Sequence, residues 1–508
     1  MPFMDTATSM VAALGDIIEE DLGDSVFDSL PKLDGAAMDI FTTSEGVSKG
    51  IGRDFKKIMV FETGVTGATK WVNPLGTGIH DFEGAANDGQ SIMTNQTTPY
   101  LEWPGAEQSP LPGFFRREVS LARMLDTISV PIEYFTAGEL DATITDIFAL
   151  IQKRAAQNIA LAKLNCFYST SIHQDIGTVG AVTFQNHNGT EDQATIILSS
   201  GSPRNYYAGM FIEVFAPISG VTLGAKRHTS RLIVKSVRYI PLSSDAGYGS
   251  IVVQSVPNED LNQTLPAAIT AGDVILREET STAAGTAGRG FIGPDMWLAN
   301  SGTVFGADVD RFQQLQSVVE ALGGAVLSEQ IFSKFAGRYR KAYGMENMPE
   351  TILSSVGAQN AYVENSDGLG RFDRTGKTFV IAGGYETGST PFLFAGQPMK
   401  WTVSDMMPSL SAMNAASQVG GRVWFMKMRD GNIQRLQPPK TRGSGSNGPF
   451  GMEVEFPFGN RHSHGIFQPT KASSGRQANY VEANAQIHTS ILPKWLPGIK
   501  LTGVAETL

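Results

Sequence analysis

The chain has few residues whose types and spacing match a known chemistry. Gly376-Lys377-Thr378 has the form of the end of a phosphate-binding loop, but that loop also needs a glycine at position 371, where the chain has Arg371. Residues 379–385 have the apolar character of a strand, whereas phosphate binds at the N-terminus of a helix. The sequence therefore does not predict a nucleotide site.

The remaining reactive residues also have simpler interpretations. His462 and His464 lie two positions apart, with no clear third metal ligand nearby, which favours ordinary loop residues. Cys166, the single cysteine, falls among apolar residues, so a buried thiol is favoured over a nucleophile. Neither a Gly-x-Ser-x-Gly nor a His-Glu-x-x-His pattern occurs. We therefore expect no catalytic residue, no metal site and no cofactor.

Composition predicts a folded chain of several domains. The 508 residues are 41% hydrophobic and 18% charged, and 55 glycines with 25 prolines indicate many strands and turns. No run of 18 apolar residues occurs, and the N-terminus lacks the pattern of a secretory signal, so we expect no membrane partner. The formal net charge of −10 argues against nucleic-acid binding over the whole surface.

The first part of the chain predicts an arm and an extended β region. Residues 1–56 are glycine-interrupted and form the arm. Residues 57–134 contain strands around a long polar segment, with a hairpin expected around 64–67. A loop of that length is rarely a simple connector within a compact domain, so we expect it to contact something outside its own core.

The clearest predicted element is a long amphipathic helix in the segment 135–199. Thr136 and Glu139 form a capping box at its start, and the next 28 or so residues contain neither proline nor glycine. Its apolar stripe ends at Cys166, and Lys163 lies mostly off that stripe.

The remaining residues predict three more segments. Four short strand runs in 200–285 are expected to form a small inserted β-barrel or sandwich. Residues 286–425 are α+β, with a helix capped by Ser328. Residues 426–508 end in a closing strand, and Asp430-Gly431 predicts a hairpin turn between the strands on either side of it.

This order of elements resembles the major capsid proteins of tailed bacteriophages, the Hong Kong ninety-seven type fold that encapsulins share. Residues 119–170 resemble the return strand of the family's extended loop running into its spine helix, with Val130-Pro131 and Asp141 at the junction. Residues 337–364 resemble the helix, strand and helix of the axial domain. The resemblance covers most of the chain outside 200–280. It implies an α+β capsid fold with an N-terminal arm, an extended β loop, a peripheral domain with a long spine helix, an axial domain and an inserted β-domain.

The resemblance also implies partners and a location. We expect a homo-oligomer of capsomers and a closed icosahedral virion capsid, assembled in the cytoplasm of a host bacterium. A portal, scaffold or cement proteins, and packaged double-stranded DNA bound without sequence specificity are its expected partners. Because about 56 residues precede the first strand, we expect no fused scaffold.

Four residues are candidates for contacts between subunits. Arg116, Arg117 and Arg123 flank the loop's return strand and are expected to pair with acidic residues of adjacent subunits. Lys70 leads into the loop, where some members of the family form an isopeptide crosslink, although an ordinary surface lysine is favoured here.

Three other interpretations remain open from the sequence alone. An encapsulin-like compartment shares the fold, but encapsulins are usually shorter. A phage tail protein is disfavoured by the long helix directly after a loop-rich β segment. A β-rich enzyme is disfavoured by the lack of a recognisable catalytic constellation.

Overall fold

The structure of the chain is a computed structural model. It describes residues 56–62, 114–120, 122–131, 158, 161–219, 222–239, 249–262, 268–281, 288–310, 312–367, 391–394, 397–404, 406–407, 419–428, 433–436, 480–493 and 495–506.

The described residues form strands and helices, so the fold is α+β. In chain order the strands are β1 (Lys56–Glu62), β2 (Phe114–Ser120), β3 (Ala122–Pro131), β4 (Asp175–Gln185), β5 (Gln193–Ser200), β6 (Phe211–Phe215), β7 (Arg231–Arg238), β8 (Ser250–Val256), β9 (Val274–Arg277), β10 (Thr303–Val304), β11 (Ala307–Asp308), β12 (Val318–Ala321), β13 (Thr351–Ser355), β14 (Pro391–Phe394), β15 (Gln397–Ser404), β16 (Val419–Met426), β17 (Ile433–Leu436), β18 (Tyr480–Pro493) and β19 (Ile499–Ala505). The helices are α1 (161–168), α2 (Pro294–Trp297), α3 (Glu329–Tyr343) and α4 (Val356–Asp367).

These strands form a closed barrel and several open sheets. The barrel has the order β4–β5–β8–β7–β6–β9. A six-stranded sheet has the order β12–β19–β16–β13–β15–β14, and a three-stranded sheet has the order β17–β18–β3. Two ribbons, β1–β2 and β10–β11, complete the described sheets. We call the six-stranded sheet with α1 to α4 the body.

The central strands β13 and β16 of the six-stranded sheet are largely buried on both faces. Successive residues of a strand point to opposite faces, and β16 shows the consequence. Val423 and Phe425 pack in the cluster that contains α3 and α4, whereas Trp424 and Met426 pack in the cluster that contains α1 and α2. The sheet therefore separates two apolar layers.

Helix α3 begins and ends where its sequence predicts. The Ser328 hydroxyl accepts a hydrogen bond from the Ile331 backbone N–H at 3.3 Å, which caps the helix. Gly344 follows the last turn with φ of 77°, a conformation that favours glycine. The face turned to the sheet buries Phe332, Phe335, Ala336 and Tyr339.

The barrel starts earlier in the chain than predicted. The four strand runs expected in 200–285 are β6 to β9, and β4 and β5 join them, so the six strands span 175–277. The predicted boundary at residue 200 falls at the end of β5. Alternate residues of β5 are buried in the barrel core, namely Ala194, Ile196 and Leu198. These residues belong to the segment 135–199, for which the main predicted element was the long helix.

The predicted boundary between 286–425 and 426–508 also differs from the structure. Strand β19, near the end of the chain, lies between β12 and β16 in the six-stranded sheet. The last strand thus returns to the sheet that was expected to end at residue 425. Local sequence pattern cannot show such a return, because strand pairing depends on partners distant in the chain.

The predicted hairpin at Asp430-Gly431 is wrong. Strand β16 pairs with β13 and β19 on its two edges, and β17 pairs with β18 in another sheet. The hairpin expected around 64–67 lies outside the described residues apart from its first strand, β1, which pairs antiparallel with β2.

Candidate assembly interface

The β1–β2 ribbon is the first candidate for contact with another molecule. Its two strands pair over their full length, from Lys56 opposite Ser120 to Glu62 opposite Phe114. Within the described part of the chain it joins no other sheet. An isolated two-stranded ribbon is marginally stable in water. The ribbon therefore gains from packing against a further surface.

The predicted contact arginines lie in two different sheets. Arg116 is opposite Val60 and Arg117 is opposite Met59 in the ribbon. Arg123 lies on β3, opposite His488 of β18. The structure thus places the three arginines on neighbouring strands of one stretch of chain but does not bring them into one sheet. Lys70 lies outside the described residues.

The connections into and out of the barrel lie side by side. His173 Nδ1 is 2.8 Å from the Ser281 hydroxyl, and the Gln174 side-chain oxygen accepts from the Gly290 N–H at 3.1 Å. Asp175 fixes the entry turn by accepting from the Ser171 hydroxyl at 2.7 Å. Adjacent termini of this kind are typical of a domain inserted into another.

The barrel contacts the body through Tyr207 and Arg277. The Tyr207 ring packs against both the barrel core and the apolar cluster around α1. Arg277 donates from Nη2 to the Tyr207 hydroxyl at 3.0 Å and from Nη1 to the Asn158 carbonyl at 3.3 Å. These contacts attach the barrel to the body in addition to its two connecting chains.

Helix α1 is enclosed on nearly all sides. Leu164 and Phe167 are fully buried, and Lys163 is only 1% exposed, although the sequence predicted an outward position for it. The difference arises because this helix enters the main apolar cluster together with residues of α2 and β16. Cys166 is buried too, and loss of solvation raises the pKa of its thiol to about 12. The prediction that Cys166 is buried is confirmed.

A buried ion cluster ties α2 to the six-stranded sheet. The Asp295 carboxylate lies 2.5 Å from Arg422 Nη1 and 3.8 Å from Lys500 Nζ, and it accepts from Trp424 Nε1 at 3.3 Å. Lys500 also donates to the Asp295 carbonyl at 2.7 Å. Burial lowers the pKa of Lys500, while Asp295 opposes that shift. The charged groups of this cluster all contact other residues of the chain, so the cluster joins α2 to the six-stranded sheet.

The structure does not test the other residues that were considered for chemistry. The segments with Gly376-Lys377-Thr378 and with His462 and His464 lie outside the described residues. Across the described ranges, no group of three or more His, Cys, Asp or Glu side chains could hold a metal ion. No helix in those ranges is both long and apolar enough to cross a membrane.

Sequence reasoning missed the residues that attach the barrel. Tyr207 and Arg277 are 70 positions apart, and no local pattern predicts their contact. The strands β4 and β5 carried a usable signal, namely the alternation of Ala194, Ile196 and Leu198.

No protein-family model and no curated protein matches this sequence. Solved structures do match it. The capsid of cyanophage A-1(L) matches with a TM-score of 0.44 and 8% identity, covering 96% of this chain and 99% of that one. The capsid of Myoviridae phage XM1 matches with a TM-score of 0.36 and 8% identity, covering 95% and 96%.

An encapsulin also matches. The SrpI encapsulin complex of Synechococcus elongatus PCC 7942 has a TM-score of 0.23 and 13% identity, covering 39% of this chain and 58% of that one. The matched structures are thus phage capsids and an encapsulin. At these values the likeness alone assigns no function.

Proposed function

We propose that the chain is the major capsid protein of a tailed bacteriophage, a structural subunit that assembles into an icosahedral shell around double-stranded DNA. The β1–β2 ribbon carries the proposal. It pairs over its full length, yet within the described residues it belongs to no larger sheet. Such a ribbon is stabilised when another surface covers it, and neighbouring copies of the same chain supply that surface in a shell.

The rest of the structure supports a building role for the chain. The centre of the body's sheet is buried on both faces, and the buried cluster at Asp295 connects elements of the body. A folded body together with a separate two-stranded ribbon allows many weak contacts between copies to act together. Arg116 and Arg117 in the ribbon, with Arg123 on β3, form charge pairs with acidic residues of adjacent subunits.

The inserted barrel has a supporting role in this proposal. It is attached to the body at Tyr207 and has a filled apolar core, which leaves its outer surface for contacts between capsomers. DNA is a neighbour of the inner face and is not recognised by its sequence, and the net charge of −10 argues against tight binding of DNA over the whole protein surface. Portal, scaffold or cement proteins complete the particle, which assembles in the host cytoplasm.

Charge reversal at Arg117 tests the proposal. The wild-type chain and Arg117→Glu are expressed with and without a candidate scaffold and compared by negative-stain microscopy. Wild type should form shells or capsomer rings, whereas Arg117→Glu should remain a folded, unassembled chain. Arg289→Glu is the control, because this side chain is 55% exposed and lies 3.5 Å from the exposed Glu279 carboxylate.

Two results would count against the proposal. Normal particles from Arg117→Glu would remove the assigned role of the ribbon arginines. Wild-type shells that package protein cargo but no nucleic acid would indicate a compartment shell instead of a phage capsid.

A further inference from the structure

The two ends of helix α3 carry opposite charge on the surface of the body. Helix α3 has 15 residues, which corresponds to about 22 Å. Its inner face is buried against the six-stranded sheet, and its other face is exposed. The ends of this exposed face are therefore separate surface patches.

One end forms a basic patch, which we define as Arg340, Lys341 and Met345. Arg340 and Lys341 lie in the last turn of α3, and both are exposed. Met345 follows the capping Gly344 and is 40% exposed, and the exposed Glu346 beside it offsets part of the positive charge at this end. An apolar side chain beside two cations is a typical composition for a protein contact with a polar rim.

The other end forms an acidic patch, which we define as Val326, Glu329 and Glu364. Asn365 of α4 donates to the Leu327 carbonyl at 3.3 Å, which brings the end of α4 to the start of α3. Glu329 and Glu364 are both exposed, and Val326 is 37% exposed. Val326 and Met345 are the large hydrophobic side chains that are exposed in the described part of the chain.

The helix dipole explains only part of this arrangement. It favours Glu329 in the first turn of α3 and Lys341 in the last turn. It does not favour Glu364, which lies near the C-terminal end of its own helix, α4. Nor does it account for exposed hydrophobic side chains at the two ends. A docking role accounts for all of these observations together.

We infer that the two patches bind each other between copies of this chain, with the basic patch of one subunit against the acidic patch of the next. The inference rests on the proposed shell function and names one contact within it. Two different, complementary patches on one chain make a head-to-tail interface, and such interfaces close into rings when the rotation allows. DNA is a less suitable partner for this face, because the acidic patch repels phosphate.

The test uses three charge variants of the full-length chain. Arg340→Glu with Lys341→Glu reverses the basic patch, and Glu329→Lys with Glu364→Lys reverses the acidic patch. The third variant combines all four substitutions and restores opposite charges at every interface. Circular dichroism and thermal unfolding check that each chain is folded. Size-exclusion chromatography and negative-stain microscopy measure the assembled fraction.

We expect each single-patch reversal to lower the assembled fraction at least ten-fold and the combined variant to recover most of it. Val326→Ser with Met345→Ser keeps the charges and should also lower assembly, which provides a second test if a charge variant fails to fold. The exposed Arg289→Glu should assemble as wild type does.

Several results overturn the inference. Wild-type assembly in both single-patch variants would do so, as would a folded combined variant that stays unassembled. Particles of the basic-patch variant that form normally but retain less DNA would assign this patch to DNA instead. If wild type itself stays monomeric, the proposed shell function fails, and this contact fails with it.

Discussion

Arg277 on β9 donates to the Tyr207 hydroxyl at 3.0 Å, and the Tyr207 ring packs against the cores of both the barrel and the body. The guanidinium also lies 5.8 Å from the centre of that ring. This pair adds a contact between the barrel and the body at the end of β9, where the exit connection begins. Removal of this pair should therefore allow the barrel and the body to unfold at different temperatures.

We expect Tyr207→Ala to destabilise the contact by about 2–4 kcal/mol, because a large partly buried ring is lost from two cores. Tyr207→Phe keeps the ring and loses only the hydrogen bond, so it should cost about 1 kcal/mol. Thermal unfolding of the full-length chain should show a separate barrel transition in Tyr207→Ala. A single transition at the wild-type temperature would contradict this role.

Two arginine–carboxylate pairs in the barrel should differ strongly in their contribution to stability. Arg227 binds both oxygens of Asp273 at 2.8–3.0 Å, and Asp273 is fully buried. Arg231 binds Glu278 at similar distances, but its side chain is 58% exposed. Arg227→Ala leaves a buried carboxylate without its cation and should cost about 3–5 kcal/mol. Arg231→Ala should cost at most about 1 kcal/mol of charge pairing.

Chemical unfolding of both variants measures this difference. Arg227→Lys is a useful intermediate, since it keeps the charge but loses the paired geometry. Equal destabilisation by Arg227→Ala and Arg231→Ala would show that burial of Asp273 does not decide the cost.

The barrel should lose stability in mild acid because of His228. Its Nε2 accepts from the Val214 N–H at 2.9 Å, and its Nδ1 lies 2.6 Å from the Ser230 carbonyl, so the neutral ring satisfies both contacts. Burial lowers the pKa of His228 to about 4, and the nearby Lys226 adds to the shift, while the Ser230 contact opposes it.

The direction in which stability changes with pH follows from proton binding to His228. Between the usual histidine pKa of about 6.5 and the folded value, the unfolded chain binds the proton and the folded chain does not. Stability should therefore be full above this range and fall by up to about 3 kcal/mol as pH drops through it. Urea unfolding between pH 7.5 and about 4.5 measures the slope. His228→Gln should flatten it. An unchanged slope in His228→Gln would exclude this source.

Two glycines should respond to alanine in opposite directions. A Cβ at Gly293 would collide with the Phe167 carbonyl oxygen, where α2 approaches α1. Gly293→Ala should therefore displace α2 and lower the unfolding temperature by several degrees. Gly337 lies inside α3, and a Cβ added there would meet no atom within 4 Å, so Gly337→Ala should stabilise by about 0.5–1 kcal/mol. Differential scanning calorimetry of the two variants checks both signs, and destabilisation by Gly337→Ala would contradict the open space assigned to it.

Local elements were predictable from sequence where a short pattern determines them. The Ser328 cap and the Gly344 end of α3 are local signals, and the structure contains both. Strand partners were not predictable in the same way. Asp430-Gly431 suggested a hairpin, but the strands around it pair with β13, β18 and β19, which are distant in sequence.

The candidate interface was predictable only in part. The sequence singled out Arg116, Arg117 and Arg123, and the structure adds their positions on β2 and β3. The attachment of the barrel and the two patches on α3 depend on contacts between distant residues, such as Arg277 with Tyr207 and Asn365 with Leu327. No periodicity or motif in one sequence carries that information.

Sedimentation velocity of the purified full-length chain, with microscopy of the fast fraction, tests the central claim most directly. The shell proposal predicts closed particles, or rings of five and six subunits, whose share grows with protein concentration. A folded monomer at every concentration, with and without scaffold, would contradict it.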